Sequence, residues 1–133
     1  MNKNGFLKGF IIYSGIVEIV FAIIFCFSNF ICDFFSLECL PFFYLFAAVE
    51  LGIFGSLLCY SARDIHRYLV IIIFSCIFRY IMLGPGIFTA ITVPAFRYIL
   101  IGAMLYDILS ATFTLILLQQ CQFFKKAAKI PPT

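Results

Sequence analysis

FRYILIGAMLYDILSATFTLILL, residues 96–118, carries only two charges, Arg97 at its start and Asp107 near its middle. A helix needs an apolar run of about 20 residues to cross a hydrocarbon core of roughly 30 Å. Ala103, Asp107, Ser110 and Thr114 recur at i, i+4, i+7 and i+11, the spacing of one helix face. The opposite side is dominated by Ile, Leu and Phe. A small and polar stripe turned towards lipid is costly, so it should face other helices. A membrane helix with one polar face needs neighbours, and the rest of the chain supplies them.

Three further stretches of the same kind lie at about residues 6–31, 41–60 and 68–83. They consume most of the 133 residues. The chain is 65% hydrophobic and 11% charged, with a mean hydropathy of +1.15. A soluble domain averages about 45–50% apolar and about 25% charged residues. The expected fold is therefore all-α and membrane-embedded: one integral domain over residues 1–133, an antiparallel bundle of four transmembrane helices. Lys3 and Lys8 before the apolar run of the first stretch, Gly9 to Ile31, resemble a signal peptide, but that run is longer than the roughly 7–15 residues of a signal core. It is read as a retained span.

The net charge of +3 matters through its distribution. Lys3 and Lys8 lie at the N-terminal end of the first span, Arg63 and Arg67 in the second connection, and Lys125, Lys126 and Lys129 follow the last span. Asp33 and Glu38 lie in the first connection. By the positive-inside rule this pattern places both termini in the cytoplasm. It suggests membrane lipids as surroundings and gives no reason to expect nucleic acid as a partner.

Deep inside each apolar run stands one charged residue: Glu18, Glu50, Arg79 and Asp107. A charge at the bilayer centre costs roughly 2.5–3.5 kcal/mol on insertion scales. At 1.5 Å per residue, Glu18, Glu50 and Asp107 lie roughly 14–16 Å from their span ends. Arg79 stands a little outside the midplane, from where it can snorkel outward. The four are expected to form one charged layer, supported by Ser14, Ser75, Ser110 and Thr114. Arginine stays charged and needs a carboxylate or water. The other acids then hold protons, share them, or meet a cation. This leaves a structural clasp or a functional pocket open.

In the second span Ala47, Ala48, Gly52 and Gly55 mark a helix contact, because small residues let backbones approach. Gly5 and Gly9 have the GxxxG spacing at the end of a span. In the first connection Cys32 and Cys39 are either disulfide-bonded or free, with free thiols favoured. Cys26, Cys59, Cys76, Cys121 and His66 show no metal-ligand spacing, so neither a metal nor a cofactor is expected. SARDIHR, residues 61–67, is topology-setting charge with Arg63 and Asp64 as local partners, or a patch for anionic lipid headgroups. Gly84, Pro85 and Gly86 are expected to break the third helix, leaving residues 84–96 as an interfacial or partly re-entrant segment. Cys121 lies beside the basic tail, where palmitoylation is a further option.

The glycine-bearing first span, the run ELGIFGSLLCYSARD (residues 50–64), Arg79 late in the third span and Asp107 in the fourth resemble the small four-helix membrane families grouped as DoxX-like. That resemblance implies a compact four-helix bundle in a functionally mixed group that includes accessory membrane subunits. The chain is also similar to emopamil-binding and sigma-receptor-like proteins in keeping acids within the bundle. It lacks their longer chain and has no tryptophan.

No nucleophile motif, phosphate-binding glycine loop or nucleotide fingerprint is present, so no catalytic residue is assigned. The expected role is a non-enzymatic accessory or scaffold protein, or a binder of a lipophilic ligand. Its partners are then another membrane protein or that ligand. The alternatives are a lipid- or sterol-modifying isomerase-like enzyme and a proton- or cation-conducting protein.

Overall fold

The computed structural model describes residues 3–27, 30, 41–92 and 97–123. Within them the chain forms four long helices: α1 (Lys3–Cys26), α2 (Pro41–Ser61), α3 (Leu69–Thr92) and α4 (Arg97–Gln120). Each contains a segment long and apolar enough to cross a membrane. The β-branched run of α3, LVIII, would weaken a helix in water, but hydrocarbon leaves a lone segment no other way to satisfy its backbone. Pro41 opens α2, where its missing N–H costs nothing.

Large apolar side chains face outward all round the bundle, among them Phe46, Val49, Val70, Phe88 and Leu109. A soluble monomer rarely exposes a contiguous apolar patch above a few hundred Å². Helices that are apolar on every side belong inside a membrane.

α1 packs most extensively on α2, and α3 on α4. The α1–α2 seam is a glycine crossing. A Cβ at Gly55 would stand 2.6 Å from the Gly15 carbonyl oxygen, and one at Gly15 2.6 Å from that of Gly55. Ala48 is buried, and Gly52 faces Ala22. The expected small-residue face of α2 is thus a helix contact, with Gly15 as its partner. Gly9 meets no neighbour, so the spacing of Gly5 and Gly9 marks no such crossing here.

The larger apolar core lies at one end of the bundle. Leu7 and Ile11 of α1, Leu58 of α2, Ile65 of the α2–α3 turn, Leu69 and Ile72 of α3, and Leu117 and Leu118 of α4 pack together there. Towards the other end the buried apolar residues are alanines: Ala22, Ala48 and Ala90.

α1 runs to Cys26 and is followed by a turn at Phe27, and residues 28–29 and 31, the rest of the expected first span apart from Phe30, lie outside the described residues. One boundary differs from the sequence expectation. α3 does not stop at Leu83: Gly84, Pro85 and Gly86 lie inside a helix that continues to Thr92. Breaking it there would leave backbone groups unpaired in lipid, a larger penalty than the one hydrogen bond Pro85 cannot donate. Gly86 also has a packing role, since a Cβ there would stand 2.8 Å from Met104 Sδ of α4. Of the interfacial segment expected over residues 84–96, residues 84–92 are the end of this helix instead, and 93–96 lie outside the described residues. Arg97 Nε donates to the Ala90 carbonyl at 3.1 Å, tying the start of α4 to the last turn of α3. Cys32, Cys39, Asp33, Glu38 and the basic tail lie outside the described residues.

Candidate functional site

Arg79 is the centre of the site. It is buried on α3, two turns beyond Ile72 of the apolar core. Its Nη2 donates to Glu18 Oε1 in an ion pair and to Ser14 Oγ at 2.9 Å, both on α1. Its Nη1 donates to Ser110 Oγ on α4. One guanidinium therefore joins three helices. The i, i+4 spacing of Ser14 and Glu18 puts both acceptors on one face of α1, as the sequence spacing implies. Arg79 does not snorkel outward; only 8% of its side chain is accessible.

Ser110 Oγ also donates to the Asp107 carbonyl at 3.2 Å, and Thr114 Oγ1 donates to the Ser110 carbonyl at 2.8 Å. Next to Arg79, Ile11, Ser14, Leu58, Ser75, Cys76 and Thr114 enclose a cavity of about 10 Å³. That volume is close to what one water requires and far below a sterol or an isoprenoid. Of the supporting residues expected from sequence, Ser14 and Ser110 bond the guanidinium, whereas Ser75 and Thr114 line this cavity.

The expected quartet resolves into a pair, a neighbour and an outlier. Asp107 is half-buried and close enough to interact electrostatically with Arg79 and Glu18, but its carboxylate bonds no described residue. Ala103, the outer member of its stripe, is exposed. Glu50 is half-buried and has neither a hydrogen bond nor an ion pair with any described residue. The helical wheel explains its separation. Gly55 faces α1 beside Glu18, and five residues at about 100° each put Glu50 roughly 140° away from that face.

Tyr106 also belongs to the site, beyond the residues expected from the sequence. Its ring lies under the guanidinium, with Arg79 Cζ 5.8 Å from the ring centroid. Its position four residues before Ser110 was the available signal. The Tyr106 hydroxyl and Glu18 Oε2 are buried without a hydrogen-bond partner among the described residues.

No group of three His, Cys, Asp or Glu side chains among the described residues is arranged to hold a metal. The architecture is that of a chain compatible with a multi-pass helical membrane bundle. No protein-family model, curated protein or solved structure matches it.

Proposed function

We propose that this chain is a multi-pass integral membrane protein acting as an accessory or scaffold subunit. It is clasped internally through Arg79 and presents Glu50 to a partner within the membrane. The observation that carries this reading is Glu50 itself. A carboxyl at mid-span with no partner among the described residues calls for one from outside, because intramembrane ionisable groups normally pair. It is flanked on α2 by the exposed side chains of Phe46, Val49 and Ile53. A partner helix bringing a lysine, an arginine or a hydrogen-bond donor to that depth fits this face. The DoxX-like resemblance, whose group includes accessory subunits, agrees with this role.

The proposed topology is antiparallel, with both termini cytoplasmic. Along α1–α2, the Cys59 thiol donates to the Ile12 carbonyl at 3.8 Å, Gly15 meets Gly55, and Ala22 meets Gly52. Along α3–α4, Tyr80 and Thr112 share a hydrogen bond at 2.7 Å, and Met104 covers Gly86. In each pair one number rises as the other falls, which supports antiparallel neighbours. The positive charges near the N-terminus, at residues 63 and 67 and in the tail support the orientation.

A second reading, a site for a lipophilic ligand bearing an amine, draws on different atoms. Glu18 Oε2 and Tyr106 OH lack partners among the described residues, and Asp107 is half-buried beside them. The isomerase-like and proton-conducting alternatives would use the same groups. The water-sized cavity at Arg79 favours the accessory role.

Purification in a mild detergent separates these readings. A stoichiometric membrane-protein partner, lost in Glu50→Gln, is the expected result. Recovery of a bound lipid or amine with no protein partner would overturn the accessory reading in favour of the pocket.

A further inference from the structure

The turn between α2 and α3 holds a second arrangement of charge, remote from Arg79. Arg63 lies over the Tyr60 ring, with Cζ 5.3 Å from its centroid, and Arg67 over the Tyr68 ring at 5.6 Å. The two rings are 5.0 Å apart, and the Tyr68 hydroxyl donates to that of Tyr60 at 3.2 Å. The proton on the Tyr60 oxygen is therefore free to donate elsewhere.

The turn that carries these groups is anchored. Ile65 is buried in the core, the His66 ring packs on Phe123 at 4.3 Å, and the Tyr68 amide donates to the Asp64 carbonyl at 3.1 Å. Asp64 does not neutralise Arg63, the pairing expected from sequence. Its Oδ1 accepts instead from the Arg67 backbone amide at 3.2 Å. Both arginines are exposed, and neither forms an ion pair with a described residue.

We propose that Arg63 and Arg67, set in place by the Tyr60–Tyr68 pair, bind the phosphate of an anionic phospholipid headgroup. Guanidinium groups match phosphate oxygens with paired hydrogen bonds, and the Tyr60 hydroxyl adds a third donor. A lipid fits better than a free ion because of where the group stands. It closes the ends of two spans, at the depth where tyrosines meet headgroups. Deeper along the same α2–α3 seam, Phe54 stacks on Phe78 at 4.7 Å and on Phe74 at 6.3 Å. Phe74 remains exposed and offers an apolar surface to an acyl chain. Neither Glu50 nor the Arg79 clasp takes part, so this inference stands apart from the accessory role.

The test uses the full chain in phosphatidylcholine nanodiscs, doped with phosphatidylglycerol and read by native mass spectrometry for retained lipid. Phosphatidylglycerol should be retained over phosphatidylcholine. Arg63→Ala or Arg67→Ala should each weaken retention about fivefold, and the double variant about thirtyfold. Tyr60→Phe keeps the ring and should weaken retention by less than either arginine change. An unaltered circular-dichroism melt certifies the fold of each variant. If the double variant does not fold, Arg63→Gln and Arg67→Gln tested singly carry the same expectation. Equal retention of the two lipids, or unchanged retention in the folded arginine variants, would overturn the proposal. So would displacement of the lipid by millimolar inorganic phosphate, which would make the ion alone the ligand.

Discussion

Arg79 of α3 and Glu18 of α1 form a buried ion pair, and the same guanidinium bonds Ser14 and Ser110. Removing one partner of a buried pair costs about 3–5 kcal/mol, because the other is left uncompensated. Arg79→Leu should therefore lower the detergent melting temperature sharply. The double variant Arg79→Leu, Glu18→Leu should recover much of that loss, since it leaves no lone charge. A double variant no more stable than Arg79→Leu alone would show that the pair is not the source of the stability.

The Gly15–Gly55 crossing makes a second expectation equally specific. At Gly55 a new Cβ would meet the Gly15 carbonyl, which is backbone and cannot swing aside. Gly55→Ala should destabilise by about 1–3 kcal/mol, the usual range for overpacking. Gly9→Ala is the control: nothing lies within 4 Å of a Cβ there. Its melting temperature should match that of the parent.

Some of this was legible in the sequence, and the reason differs by residue. Four spans follow from apolar runs whose length the bilayer dictates, so their existence needed no tertiary knowledge. Ser14, Glu18 and Ser110 could be placed because helical spacing fixes which residues share a face. The position of Glu50 is not legible from its depth, because depth fixes only one coordinate and the wheel angle fixes another. Tyr106 is hard to single out because an aromatic in an apolar span carries no composition signal. The continuation of α3 through Pro85 was hidden for a different reason. Glycine and proline stop helices where water can satisfy the freed backbone, and a lipid-facing segment has none.

Pro85 gives a third expectation. It stands inside a continuous helix, where an ordinary residue would donate to the Ile81 carbonyl. Pro85→Ala restores that donor without changing the helical path. The variant should melt at the same temperature as the parent or higher. A clear destabilisation would mean that the proline ring supplies packing that alanine cannot.

Tyr106 separates stability from binding. Its ring carries the cation–π contact with Arg79, while its hydroxyl is buried without a hydrogen-bond partner among the described residues. A buried hydroxyl left unsatisfied costs about 1–3 kcal/mol by mutational measures. Tyr106→Phe keeps the ring and removes that cost, so the melting temperature should rise. If the hydroxyl instead serves a lipophilic amine, the same variant would lose the bound molecule on purification.

Glu50 yields the expectation that bears most directly on function. Its carboxyl bonds nothing among the described residues, so replacing it removes no hydrogen bond or ion pair to any of them. Glu50→Leu should leave the isolated bundle at least as stable as the parent, unlike Arg79→Leu. A leucine at mid-span also favours insertion by about 3 kcal/mol over an acidic residue on insertion scales. The accessory reading requires the opposite trend for assembly: partner recovery should fall while the melting temperature of the isolated chain holds or rises. Loss of both together would make Glu50 a structural residue of the bundle. Retention of both would place the partner-binding surface elsewhere.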